Sequence, residues 1–297
     1  MEFEKHPPIE EYLNGLNYLN NTDFSNLQYN DIRKEYFKKS ITHHSAGGHL
    51  NEKNFENSWF YRVRSEKTIA SNENLNLIQT FSFPPPSFCN KGRANIEGNP
   101  VFYCTDHLEA AVKESCMRAG EIGYVSIWRL RLRRELSYSV YLPELLPIKN
   151  TWSDRAKYFN TLTSIFFSQI PSEIREHKRE QQKFIINKFL FDSYPYSITS
   201  MICHSDLYES GDVDFVVYPS AKTFQNYCNY AFHPNVAQNN LIVDRVIRFK
   251  VIDDSEHNFK ISFGEVGNRK NDRIVWDYYQ KNIDMTEFDS EWPRREA

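Results

Sequence analysis

Apolar residues along this chain change their spacing several times, and each change marks an element. From Trp59, "WFYRVRS" alternates Trp59, Tyr61 and Val63 against Phe60, Arg62 and Arg64, the two-residue period of a strand. "PVFYC" (100–104) reads as a short apolar strand, and "GYVSIWRLRLRR" (123–134) alternates again, with Tyr124, Trp128, Leu130 and Leu132 on one side. "DVDFVVYPS" (212–220), "LIVDRVIRFKVI" (241–252), "NFKISF" (258–263) and "DRIVWDYY" (272–279) give further strands. Helical spacing covers 29–39, then 154–170 and 173–192 on either side of Pro171. "FSFPPPSF" (81–88) is excluded from a sheet interior, because its three prolines remove ladder donors.

The helix after "PVFYC" bears most on function. Asp106 with Glu109 three residues on predicts a capping box, and Leu108, Ala111, Val112, Ser115, Cys116 and Ala119 keep helical spacing up to a stop at Gly120. Glu114 falls off that stripe, on the flank with Ala110 and Met117, so periodicity alone makes it a solvated residue. Strands and helices mix without strict alternation, which predicts an α+β fold, a mixed sheet core with flanking helices. Residues 1–57, polar and Asn-rich, read as an arm or cap. The main domain runs over 58–240, and 241–297 is a strand-rich extension packed on it.

Composition narrows the function classes. The 297 residues are 40% hydrophobic and 25% charged, ordinary for a globular protein, so global disorder is excluded. The 22 Phe and 18 Tyr predict an aromatic core or cleft, while only 10 Gly, with neither G-x-G-x-x-G nor G-x-x-x-x-G-K-[ST], disfavour dinucleotide and P-loop folds. A net charge of −3 argues against a nucleic-acid partner. Five cysteines without a C-x-x-C pair predict no disulfide framework or zinc ribbon. No apolar run is long enough to span a membrane, and the start lacks a secretory pattern; the expectation is a cytoplasmic, thiol-reduced protein.

Two clusters read more simply as surface. "HHSAGGH" offers His43, His44 and His49, but nearby acids or cysteines that would complete a metal site are lacking, so no metal is predicted and the segment reads as a flexible loop. Arg129, Arg131 and Arg133 would share one strand face beside Arg134, as a solvated charge row. No G-x-S-x-G elbow supports a serine hydrolase. What remains is "KGRANIEGNPVFYCTDHLEAAVKE" (91–114). An arginine grips phosphate with a planar fork, a tyrosine stacks on flat rings, and a glutamate stabilises an oxocarbenium-like centre.

In order along the chain, four segments resemble the RES domain, a bacterial family named for Arg, Glu and Ser. They are "FYRVR", then "GRANIEGNPVFY" against the pattern G-R-[WA]-N-x-x-G-x-P-[VIL]-x-Y, then "EAAVKE", then "VVYPSAKTFQNYCNYAFHP" with Tyr218, Ser220, Asn229 and Phe232. The likeness covers roughly 58–235. It implies an ADP-ribosyltransferase-like fold acting on NAD as substrate, with no recycled cofactor. It further implies a toxin that depletes NAD by hydrolysis or phosphorolysis, or an ADP-ribosyltransferase with a protein acceptor, paired with a helix-turn-helix (Xre-type) antitoxin. By that resemblance Arg62 and Arg93 bind the NAD pyrophosphate or adjacent groups, with Arg64 a rival for the first arginine. Tyr103 stacks near nicotinamide, and Glu114 holds the adjoining ribose and stabilises positive charge. Ser220 places that ribose with Tyr218 beside it, and Asn229 also contacts substrate. The arm, the insert between Gly120 and Asp212 with "SYPYSITSMICHSDLYES" (193–210), and the tail are additions. They leave open NAD destruction, ADP-ribosyl transfer, or a binding module without turnover.

Overall fold

The computed structural model describes residues 7–40, 46–55, 58–132, 134–255, 259–277 and 281–284. Its elements are α1 (Ile9–Asn21), α2 (Tyr29–Lys39), β1 (Ala46–Leu50), β2 (Phe60–Ser65), β3 (Phe102–Thr105), α3 (Leu108–Glu114), β4 (Ile122–Leu130) and β5 (Leu136–Val140). There follow α4 (Ser153–Ser168), α5 (Ser172–Phe191), α6 (Ser197–His204), β6 (Phe215–Pro219), β7 (Cys228–Phe232), α7 (Pro234–Asn240), β8 (Leu241–Asp253), β9 (Lys260–Lys270), β10 (Arg273–Asp277) and β11 (Lys281–Asp284). The fold is α+β: one large mixed sheet with flanking helices.

The sheet runs β1-β5-β6-β7-β3-β2-β4-β8-β9-β10, with β11 also pairing to β9. Its ladders are antiparallel apart from β5–β6. Every residue of β6 and of β7 is buried, as expected for central strands covered on both faces. Along β6 the side chains alternate between two layers: Phe215 and Val217 join the core with Phe60, Phe102, Trp128 and Trp152. Val216 and Tyr218 join a second core built by α1, α2, α5 and α6. A third cluster packs Leu108, Ala111 and Val112 of α3 on Tyr61, Val125 and Ile127.

The second and third clusters lie on the same side of the sheet, because Tyr61 pairs with Thr105 in register and Tyr103 shares the parity of Thr105. β2 and β3 pair at that point alone, whereas β2–β4 runs from Phe60 to Ser65. The sheet therefore splays between β2 and β3, and a cleft forms where the two helical layers part.

Several sequence expectations change. "AGGH" (46–49) is not a loop but part of the edge strand β1, and Gly47 is needed there, since a Cβ would come within 2.3 Å of the Tyr138 carbonyl oxygen. The predicted strand 123–134 stops at Leu130, where Arg131 donates its backbone N–H to Asn240. Of the described arginines in that row only Arg129 is in a strand, and Arg134 pairs with Asp214 at 2.6 Å; Arg133 lies outside the described residues. α1, β5, α6, β7 and α7 were not anticipated as elements. α1 and α2 dock on α5 through Gln181, whose side chain accepts from Tyr12 and donates to Tyr36, each at 2.9 Å. Among the described residues no helix is long and apolar enough to cross a membrane.

Candidate active site

The cleft holds about 350 Å³ and is lined by Arg62, Arg93, Tyr103, Glu114, Tyr218 and Asn229 among others. Ser220 is fully buried behind it and reaches Glu114. Residues from four separated segments therefore meet at one place. A more apolar groove of about 400 Å³ between α4 and α5 contains none of them.

The 92–95 turn is built first. Gly92 and Asn95 form an isolated bridge, and Asn95, 2% exposed, donates its amide to the Asn90 and Ile96 carbonyls, each at 2.9 Å. The Tyr103 hydroxyl closes the turn, accepting from Ala94 N–H at 2.6 Å and donating to Asn95 Oδ1 at 2.9 Å. A Cβ on Gly92 would meet Asn95 Oδ1 at 2.6 Å and the Tyr103 hydroxyl at 2.8 Å, so glycine is required. Gly98 sits at φ +74°, a left-handed position that favours glycine. The phenol of Tyr103 is thus committed to the loop, and burial holds its pKa far above the ordinary value. What it offers the cleft is a ring, not a proton.

That turn throws Arg93 onto the end of α5. Its guanidinium donates to the carbonyls of Lys188 (3.1 Å), Phe189 (2.8 Å) and Asp192 (3.0 Å) at the helix terminus, where the Lys188 carbonyl also accepts the Asp192 backbone N–H. It also lies 4.4 Å from the Tyr196 ring centroid. Three of its five N–H groups are engaged by the protein itself.

Glu114 is the last residue of α3. The helix begins after His107, whose Nδ1 accepts from Glu109 N–H at 3.2 Å, so the expected cap at Asp106 is displaced by one residue. Asp106 instead accepts from Thr151 Oγ1 at 2.7 Å and Cys228 N–H at 2.9 Å, tying α3 to β7. The helix also ends before the expected Gly120, because the chain turns left-handed at Cys116 (φ 53°) to reach β4. Ending there aims Glu114 at the 218–229 hairpin. Ser220 Oγ donates to Glu114 Oε1 at 2.6 Å, and Asn229 Nδ2 donates to the same oxygen at 2.9 Å. Tyr218 and Asn229 are register partners, which fixes the donors relative to one another. Among the described residues Oε2 has no hydrogen-bond partner, leaving one carboxylate oxygen for a ligand.

The two arginines of β2 separate cleanly. Arg64 is held by Glu73 at 2.7 Å and by the Thr68 carbonyl at 2.7 Å, away from the cleft. Arg62 lines the cleft and sits in the splay between β2 and β3, donating to the Ser82 carbonyl at 3.0 Å and the Tyr103 carbonyl at 3.1 Å. No carboxylate pairs with it among the described residues. Burial, reinforced by the charge of Arg64, lowers its pKa to about 10. Its charge persists at neutral pH and is met by carbonyl dipoles and the face of the Phe102 ring, 5.6 Å away, a setting that favours an incoming anion.

Tyr218 is 4% exposed, with its ring 5.1 Å from Phe189. Burial raises its phenol well above the ordinary range, and among the described residues its hydroxyl has no partner. Sequence reading missed Phe189, Tyr196, Lys222 and Cys116, all in the lining. Phe189 and Tyr196 lie in the insert, where no local pattern marks a cleft wall; Lys222 sits two residues past Ser220. Elsewhere, His49 Nδ1 lies 3.1 Å from Ser137 Oγ, His43 and His44 lie outside the described residues, and no group of three metal-ligating side chains exists among the described residues.

Comparison of the chain with protein-family models finds no match, and comparison with curated proteins likewise finds none.

Proposed function

We propose that this protein is an NAD-consuming enzyme that breaks the bond between nicotinamide and ribose, in an ADP-ribosyltransferase-like fold. The observation that carries the reading is the double clamp of Ser220 and Asn229 on Glu114 Oε1, inside a cleft walled by cationic and aromatic side chains. With Oε1 saturated, Oε2 is presented in a fixed direction, as a carboxylate that grips ribose hydroxyls must be. As the C–N bond breaks, nicotinamide leaves with the bonding pair and C1′ becomes oxocarbenium-like; the carboxylate stabilises that charge. Water then adds to C1′ and releases a proton, giving ADP-ribose. The Tyr103 ring and the free Tyr218 hydroxyl flank the reacting ribose, and Arg62 meets anionic groups. The elevated phenols of Tyr103 and Tyr218 make them poor bases at neutral pH, which leaves Glu114 as the catalytic carboxylate.

The same reading extends to a cytoplasmic toxin held in check by a helix-turn-helix antitoxin. Nicotinamide release from NAD by purified protein, with and without phosphate, tests the chemistry. Release that Glu114→Gln abolishes supports it. Binding of NAD by folded protein without release favours a binding module instead, and label from NAD on a protein band favours ADP-ribosyl transfer.

A further inference from the structure

The resemblance assigns the pyrophosphate to Arg62 and Arg93, but Arg93 is largely engaged. Three of its N–H groups cap α5, and one face of its guanidinium is covered by Tyr196. Turning it toward a ligand would strand the Phe189 and Asp192 carbonyls, since the Lys188 carbonyl alone of the three also accepts a backbone N–H, that of Asp192. Lys222 is in the opposite condition. It lines the same cleft, is exposed, and has no hydrogen-bond or ion-pair partner among the described residues.

The backbone that carries Lys222 is hydrogen-bonded in place. Lys222 stands in the turn 221–223, which is closed by Gln225 N–H donating to the Ser220 carbonyl at 2.9 Å and Ser220 N–H donating to the Tyr227 carbonyl at 2.8 Å. That turn starts at the residue whose hydroxyl holds Glu114. α3 packs against both this turn and β2, and Glu114, Lys222 and Arg62 all line the one cleft. Among the described residues these two cations of the lining have no carboxylate partner, and the one whose turn begins at the residue holding Glu114 is Lys222.

We infer that Lys222 is the principal anion ligand of the cleft, gripping the substrate diphosphate beside Glu114, and that Arg93 is a positioning residue that fixes the end of α5 and the Tyr196 wall. The inference rests on the reading of the cleft as an NAD-cleaving site and names the group that holds the substrate's charge. A lysine is suited to that task as a compact charge with three rotatable donors that follow a phosphate through bond cleavage.

The experiment is calorimetric binding of inorganic pyrophosphate to the full chain at fixed ionic strength, with melting temperatures recorded for each variant. Lys222→Ala is expected to weaken pyrophosphate about tenfold or more, the loss of a charge-assisted contact, with the melting temperature unchanged. Arg93→Lys is expected to lower the melting temperature while leaving pyrophosphate affinity within about twofold, since lysine cannot reproduce the three-carbonyl cap. Pyrophosphate binding untouched by Lys222→Ala, or weakened by Arg93→Lys at an unchanged melting temperature, would overturn the assignment. So would wild type that binds no pyrophosphate at millimolar concentration. Lys222-dependent pyrophosphate binding in a protein that releases no nicotinamide would instead refute the glycosidic chemistry and leave the anion site standing.

Discussion

Ser220 and Glu114 are 106 positions apart in the chain and 2.6 Å apart at their oxygens. Neither residue is held by its own element alone. α3 ends at Glu114 because the backbone turns left-handed two residues later, and β6 delivers Ser220 because Pro219 ends the strand just before it. Asn229, from the neighbouring strand β7, donates to the same oxygen at 2.9 Å. The carboxylate is therefore aimed by two strands and one helix together.

Removing one of these donors should loosen the aim without abolishing it. Ser220→Ala and Asn229→Ala are each expected to lower kcat for nicotinamide release by about 10–100-fold with little change in KM, smaller than the loss from Glu114→Gln. The double variant should lose less than the product of the two, since the groups act on one oxygen. Strict additivity in a steady-state assay would show that they act independently.

Arg62 and Arg64 should fail in different ways. Arg64→Ala leaves Glu73 without its cation and is expected to cost about 1–3 kcal/mol of stability while KM stays near wild type. Arg62→Ala should raise KM for NAD at least several-fold. A KM effect confined to Arg64→Ala would reverse the assignment.

For Tyr103 the hydroxyl and the ring are separable. Tyr103→Phe strands the Ala94 N–H and the buried Asn95 amide oxygen, an expected loss of about 1–3 kcal/mol in chemical denaturation. Nicotinamide release by the folded variant should fall far less than in Tyr103→Ala, which also removes the cleft wall. Equal activity losses in the two variants would return a chemical role to the hydroxyl.

Asp106 makes stability depend on pH. Burial pushes its carboxyl up to about 6, its hydrogen bonds to Thr151 and Cys228 offsetting only part of that cost. An acid whose folded pKa exceeds its unfolded value adds stability at low pH and loses it as pH rises through the interval between the two, here from 3.8 to about 6. Asp106→Asn removes this contribution, so its melting temperature should gain on wild type as pH goes from 4 to 7. A difference that stays constant across that range would count against the buried charge.

Cys116 is the exposed thiol, whereas Cys89, Cys104, Cys203 and Cys228 are buried. Thiol titration of native protein should modify one equivalent rapidly, and NAD or ADP-ribose should slow it, because Cys116 lines the cleft. Unprotected labelling at saturating ligand would put the ligand elsewhere.

Much of this site was legible in the chain. Arg93, Tyr103, Glu114, Tyr218, Ser220 and Asn229 were named through the resemblance of ordered local segments, and the structure brings them to one cleft. Gly92, Asn95 and Gly98 carry that order: one leaves room for a phenol, one satisfies a loop and one turns left-handed. The likeness could not separate Arg62 from Arg64, since both stand on one strand and only Glu73 and the splay beside Tyr103 distinguish them. It gave no sign that Arg93 caps α5, because the carbonyls it meets lie 95 to 99 residues away.

Period and composition by themselves determined a mixed α+β chain, its long helices around Pro171 and its main strands. Those properties depend on neighbours a few positions apart, which a linear sequence displays. Tertiary structure alone decided that "AGGH" (46–49) becomes part of an edge strand, that α3 stops at Glu114, and that Lys222 and Tyr196 join the cleft wall. Each of those outcomes is set by pairing or packing with a distant segment, whose energy exceeds the small local preferences a sequence reveals.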